Sequence, residues 1–242
     1  MFANSVRWTT LAATALCAGL SVVAPQAAHA TVPPPGQSET PFPGPGDVMQ
    51  LPICDGKVAT IVGTSGNDAL HGTPNDDVIV AYGGNDWIYG YTGNDTICAG
   101  AGNDRVYGDD DTPTFAEGLN EIYGGSGIDT IIGGGGKDVV SGGADEDYIA
   151  GSNGADTLSG DGGDDVIYGQ GDSDYSDGGA GDDVLDAASG DNGVYDYVWG
   201  GADDDVLRTR DGVGGDFGDG STGTNSCRKD AGDTLSSCQK WL

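Results

Sequence analysis

Gly63 to Tyr107 reads GTSGNDALH, GTPNDDVIV, AYGGNDWIY, GYTGNDTIC, AGAGNDRVY, five units of nine residues set end to end. Each unit has Asp at its sixth place (Asp68, Asp77, Asp86, Asp95, Asp104) and an aliphatic residue at its eighth (Leu70, Ile79, Ile88, Ile97, Val106). A fixed short period means that each unit is one supersecondary piece unable to bury its apolar side chain alone, so the units must stack. The last three places, with one apolar residue between two variable ones, have the period-2 pattern of a short strand with one buried face. The first six, rich in Gly, form a turn. Two units then make one coil, and strands eighteen residues apart become neighbours in parallel sheets.

The array continues after an interruption. Gly108 to Tyr123 keeps the ending Gly118-Leu119-Asn120-Glu121-Ile122-Tyr123 but is longer, and such an insertion can be looped out of a turn. Seven clean units run from Gly124 to Asp186, with sixth-place Asp129, Asp138, Asp147, Asp156, Asp165, Asp174 and Asp183. A second long unit, Ala187 to Trp199, carries Asp196, and a final one ending at Arg208 carries Asp205. That makes about fifteen repeats over residues 63–208, with Asn120 the one sixth place that is not Asp and Ser176 the one eighth place that is not aliphatic. The fourth place is Gly in ten units and Asn75, Asp145, Asp172 or Asp203 in four others, residues that tolerate a left-handed backbone, so a turn with positive φ is expected there. Val194 fits that place badly.

The chemistry follows from the charge. Of 242 residues, 39 are acidic and 9 basic, a net charge of −30. Nucleic acid is excluded as a partner, because phosphate binding needs Lys and Arg, and so is an anionic membrane surface. One aliphatic residue per nine cannot by itself offset the ordering of Gly-rich turns, and stacking sets Asp above Asp. A cation between the turns is therefore required, and carboxylates with turn carbonyls form an all-oxygen site that suits Ca²⁺. A merely solvated acidic face would scatter its acids among outward places, whereas here a single column is nearly invariant.

These units resemble the repeats-in-toxin (RTX) nonapeptide G-G-x-G-x-D-x-U-x. The resemblance implies an all-β fold, a right-handed parallel β-roll (β-solenoid) with Ca²⁺ between successive turns, the sixth-place Asp of units i and i+2 sharing an ion. Asp68 would pair with Asp86, Asp77 with Asp95, Asp86 with Asp104 and Asp129 with Asp147, giving about eight ions or more. The metal ligands so implied are the fourteen aspartates named above. Asn120, Ser176, Ala81, Ala99 and Ala187 depart from the pattern.

Outside the array, residues 1–30 read as a signal peptide: Arg7, an apolar Leu11–Ala24, and Ala28-His29-Ala30 for cleavage. The apolar run is too short to span a membrane. Residues 31–50 hold six of the ten prolines and read as a semi-rigid linker. Residues 51–62 are expected to form an N-terminal cap strand, and 209–242 a C-terminal cap in which Asp233-Thr234-Leu235 looks like a last half-unit. The expected location is extracellular, and the arrangement is similar to that of short secreted calcium-binding proteins of actinobacteria.

Without Cys17, in the signal segment, four cysteines remain, with three connectivities open. Cys54–Cys98 and Cys227–Cys238, one staple at each end, is the favoured pair; the rival, a zinc site, lacks any CxxC. An enzyme is not expected. A catalytic triad would have to use His71, an outward ninth-place residue, and there is no HExxH, nucleophile elbow or P-loop. A secreted, structural calcium-binding protein whose folding is coupled to Ca²⁺ is the leading reading. A Ca²⁺-dependent module for cell surfaces or polysaccharides is the alternative, favoured by the outward aromatics Trp87, Tyr89, Tyr107, Tyr123, Tyr148, Tyr168 and Trp199.

Overall fold

The computed structural model describes residues 51–109, 118–187, 194–210, 212 and 215–242. The expected signal peptide and linker, and most of both insertions, lie outside those residues. The described chain is all-β. Twenty short strands, β3 (Ile61–Val62) to β22 (Cys238–Trp241), alternate between two ten-stranded sheets, odd strands in one and even in the other. Every pairing in both sheets is parallel. The fold is a parallel β-roll of about nine coils.

The register is the nine-residue period made physical. Val78, Ile79 and Val80 face Thr96, Ile97 and Cys98, a step of eighteen residues. Eighth-place side chains thus stack on their own kind. Ile79, Ile97, Ile122, Val140 and Leu158 line one sheet and Ile88, Val106, Ile131, Ile149 and Ile167 the other, all buried. The core is one aliphatic layer from each sheet, and it stays in phase through the 108–123 insertion, because Ile97 pairs directly with Ile122.

Residues 51–62 are not a single strand. β1 (Ile53–Cys54) and β2 (Lys57–Val58) form an antiparallel hairpin, and only β3 joins the roll, pairing with Val78–Val80. Asp55 and Gly56 both have positive φ (46° and 75°), the backbone that a two-residue hairpin turn requires. The hairpin is fixed by a Cys54–Cys98 disulfide.

The sheets also run on past Arg208. β19 (Phe217–Asp219), β20 (Asn225–Arg228), β21 (Thr234–Ser236) and β22 add four strands to the two stacks. Cys227 takes an eighth place below Leu207, fully buried, and bonds to Cys238. Gly218 takes another, and its missing side chain leaves room for Leu235 and Val198, whose methyls would collide with a Cβ there.

Candidate metal sites between the coils

The sixth-place side chains form two columns, one under the turns entering each sheet. In each column the backbone N–H of one residue donates to Oδ1 of the residue one coil further on, over 2.7–3.1 Å. The first column runs Asp68, Asp86, Asp104, Asp129, Asp147, Asp165, Asp183, Asp205, Asn225. The second runs Asp77, Asp95, Asn120, Asp138, Asp156, Asp174, Asp196, Asp216, and a longer contact of 3.4 Å reaches Asp233. All fourteen expected aspartates stand in these columns, and each expected i, i+2 pair is brought together. Neither insertion breaks the ladder.

Asp233, in the expected last half-unit, extends its column, and Asp216 and Asn225, unmarked in the sequence reading of the cap, extend theirs. They are hard to find because the steps become twenty residues (Asp196 to Asp216, Asp205 to Asn225), and Gly218 and Cys227 replace the aliphatic marker. A counter-ladder at the fifth place was also missed. Asn67, Asp76, Asn85, Asn94, Asn103, Asp164, Asp182 and Asp204 accept from the fifth-place N–H of the next coil over 2.7–3.3 Å. The recurrent Asn or Asp before the column Asp was its visible signal.

One carboxylate oxygen is thereby used and the other is not. Oδ2 of Asp86, Asp95, Asp104, Asp129, Asp138, Asp147, Asp156, Asp165, Asp183 and Asp205 is buried with no hydrogen-bond donor. An unpaired buried anion is among the costliest groups a fold can contain. Burial accordingly pushes these carboxyls up, with neighbouring aspartates adding repulsion. Asp95, Asp129, Asp147 and Asp183 rise to about 7 and Asp156 to about 8, while Asp165 and Asp205 rise to about 6. The donated N–H bonds pull the other way without prevailing.

The orphaned oxygens face more oxygen. A Cβ built on Gly133 would lie 2.5 Å from Asp138 Oδ2 and 2.9 Å from Gly151 O; on Gly142, 2.5 Å from Asp147 Oδ2 and 3.0 Å from Gly160 O. The first-place Gly thus leaves a cradle between a carboxylate oxygen and a carbonyl of the next coil. Ala81, Ala99 and Ala187 hold the same first place and are buried. No three His, Cys, Asp or Glu side chains converge among the described residues. What the columns offer is pairs of carboxylates with carbonyls beside them, an oxygen donor set that fits Ca²⁺.

The RTX calcium-binding nonapeptide repeat matches residues 62–97, 71–106, 80–114, 116–149, 150–185, 177–194 and 195–213. The chain belongs to the RTX calcium-binding repeat family. No curated protein matches it. RTX repeats bind Ca²⁺, and the two columns are where this chain carries the repeat's invariant acid.

The turns are of two kinds. Most RTX turns here have positive φ at the fourth place, as expected, for example Gly84, Gly136 and Asp145, and also at the second, for example Tyr82, Gly125 and Gln170. The turns of Asp68, Asp77 and Asn120 have neither. In the first two, Thr closes the turn. Thr64 donates from N and Oγ1 to Asp68 Oδ2 at 2.6 and 2.9 Å, and Thr73 does the same to Asp77 at 2.7 and 2.8 Å. Thr60 Oγ1 donates to Asp77 Oδ1 at 2.9 Å. The first coil thus meets its carboxylates with protein donors.

His71 stands on the outer face, its ring stacked on Tyr89 at 5.2 Å and its Nδ1 3.0 Å from the Tyr91 hydroxyl.

Proposed function

We propose that this RTX protein is a secreted, structural calcium-binding roll whose folding is coupled to Ca²⁺. The observation that carries the reading is the set of ten buried carboxylate oxygens without donors. A divalent cation between coils would offset the charge of two aspartates at once and occupy oxygens that nothing else satisfies. Because the unfolded chain has no such cradles, binding free energy becomes folding free energy. The ladder crosses both insertions, so eight ions is a lower bound, and the array of sites begins at Asp86 and Asp95, beyond the Thr-closed turns. Affinities of about 10⁻⁴ to 10⁻³ M suit an extracellular site. Secretion is supported by the leader-like residues 1–30 and by the disulfides, which persist in oxidising compartments. Carboxylates committed to calcium are not free for acid–base work, and no catalytic role is assigned. Circular dichroism in EGTA and then in millimolar Ca²⁺ tests the reading; an equal strand signal in both would overturn it.

A second reading rests on the outer faces. Tyr175 stacks on Trp199 at 5.0 Å, Tyr197 on Phe217 at 5.5 Å, and Tyr89 on Tyr107 at 5.1 Å with the rings 6° from parallel. Such rows, spaced by the strands, suit a polysaccharide or cell-surface polymer. Binding on a glycan array in Ca²⁺ but not in EGTA would favour it.

A further inference from the structure

The cradle between a sixth-place oxygen and a carbonyl of the next coil recurs along the first column, and at the last turn of that column it is filled. Residues 220–228 read GSTGTNSCR, a regular unit with Asn at the sixth place. Asn225 keeps the ladder intact. Its Oδ1 accepts the Asp205 N–H at 2.8 Å, and its own N–H donates to Gln239 Oε1 at 2.6 Å. That leaves Nδ2 where other turns have Oδ2. An added Cβ would collide with Asp165 Oδ2 on Gly160, with Asp183 Oδ2 on Gly178 and with Asn225 Nδ2 on Gly220.

The carbonyls around this nitrogen are those of the cradle. Gly220 N donates to Ser236 O at 3.1 Å as Gly72 N donates to Tyr89 O at 2.7 Å, so Ser237, like Gly90, holds the first place of the next coil. Nδ2 reaches Gly220 O at 2.5 Å, Ser237 O at 3.3 Å and Thr222 O at 3.4 Å, three acceptors for its two hydrogens. This network fixes the orientation of the amide, because exchanging its O and N would set an oxygen against carbonyls and a donor against the Asp205 N–H. The side chain is fully buried, and none of its polar atoms is among those without a partner. The Asp219 carboxylate, just before this turn, accepts from Ser221 N at 2.9 Å.

We infer that the Asn225 side-chain amide takes the place of the ion in the gap between the turn of residues 220–225 and the coil that begins at Ser237, so that this last gap closes without calcium. In the interior gaps a buried anionic oxygen lacks a donor and faces a carbonyl, which only a cation can satisfy together. Here N–H groups meet the carbonyls, and the next ladder position belongs to the neutral Gln239. The first coil is closed by protein donors too, through Thr64 and Thr73. The first column of sites is thus bounded at both ends by turns that make no demand on calcium.

The inference rests on the calcium reading above, and the experiment separates the two. Full-length protein with its disulfides intact is titrated with Ca²⁺ by equilibrium dialysis and followed by circular dichroism. Asn225→Asp keeps the acceptor for the Asp205 N–H and turns the donor into an anionic oxygen. Combined with Gln239→Glu, which brings a second carboxylate to the same gap, it is expected to bind one ion more than wild type, about tenfold more tightly than Asn225→Asp alone binds it. Gln239→Glu by itself, with the amide still in place, is expected to leave the count unchanged. No extra ion in the double variant, or an extra ion in Gln239→Glu alone, overturns the inference; a wild-type chain that binds no Ca²⁺ overturns the parent reading. If the double variant fails to fold in 10 mM Ca²⁺, hydrogen exchange of the Asn225 side-chain amide in the calcium-saturated wild type, followed by NMR, decides. Protection supports the role, and exchange as fast as that of an exposed amide overturns it.

Discussion

At the scale of single residues the roll contrasts carboxylates that look alike in sequence. Asp68 has Thr64 on Oδ2, while Asp86 has a buried Oδ2 with no donor and lies between two coils. Asp86→Ala should therefore remove a ligand from the gap it shares with Asp104 and raise the calcium concentration at half-folding several-fold, while Asp68→Ala should barely move it. Equal shifts in a calcium titration would mean that the Thr-closed turn holds an ion as well. Backbone conformation gives a second contrast. Gly154 has φ 121° and an added Cβ would run into Gly136 O, whereas Gly162 has an ordinary φ and nothing nearer than 3.9 Å. Gly154→Ala should cost about 2 kcal/mol or more, and Gly162→Ala should fall within about 0.5 kcal/mol of wild type. Calcium-saturated denaturant melts read both.

At the scale of elements, the strands and their register were legible because the eighth place repeats. Ile79 and Ile97 could be placed in one stack from spacing alone, whereas Ile122, 25 residues on, joins it only because the insertion is looped out of the turn. The turn interior was less legible. Nothing in the letters GTSGND and GYTGND tells that Thr64 closes its turn with hydrogen bonds while Tyr91 adopts φ 77°, since that choice depends on where the second-place N–H points. The last coils were obscured because Gly218 and Cys227 fill apolar places only by virtue of Leu235 and the Cys238 disulfide. Both staples join an end element to the roll: Cys54–Cys98 spans 44 residues and Cys227–Cys238 spans 11. Cys98→Ala should cost about 2–4 kcal/mol, the typical loss when a native staple is removed. It should appear as a higher calcium requirement for folding, and an unchanged requirement would show the hairpin to be a passive appendage.

For the whole molecule, protons and calcium compete for the same oxygens. Burial raises the carboxyls of Asp95, Asp129, Asp138, Asp147 and Asp183 to about 7, so the folded chain without calcium holds protons that the unfolded chain, with ordinary carboxyls near 3.8, has released. The folded state binding more protons, stability falls as pH rises. The calcium-free roll is thus most stable below the unfolded value and loses that stability as pH climbs through about 6 to 8, where Asp165, Asp205 and Asp156 also lie. In EGTA the protein should show strand signal at pH 5.5 and lose it by pH 8. Added Ca²⁺ should restore the pH 8 signal, there without proton release because the unfolded carboxyls are already ionised, and should release protons at the lower pH values where the calcium-free roll keeps its strands. Titration of strand signal against pH at fixed EGTA, with proton release measured on adding Ca²⁺ to weakly buffered protein, checks both halves. A calcium-free signal independent of pH would mean that the carboxylate columns do not govern folding, and calcium uptake without proton release at a pH where the calcium-free strand signal persists would place the ions on carboxylates that are already ionised, away from the two buried ladders.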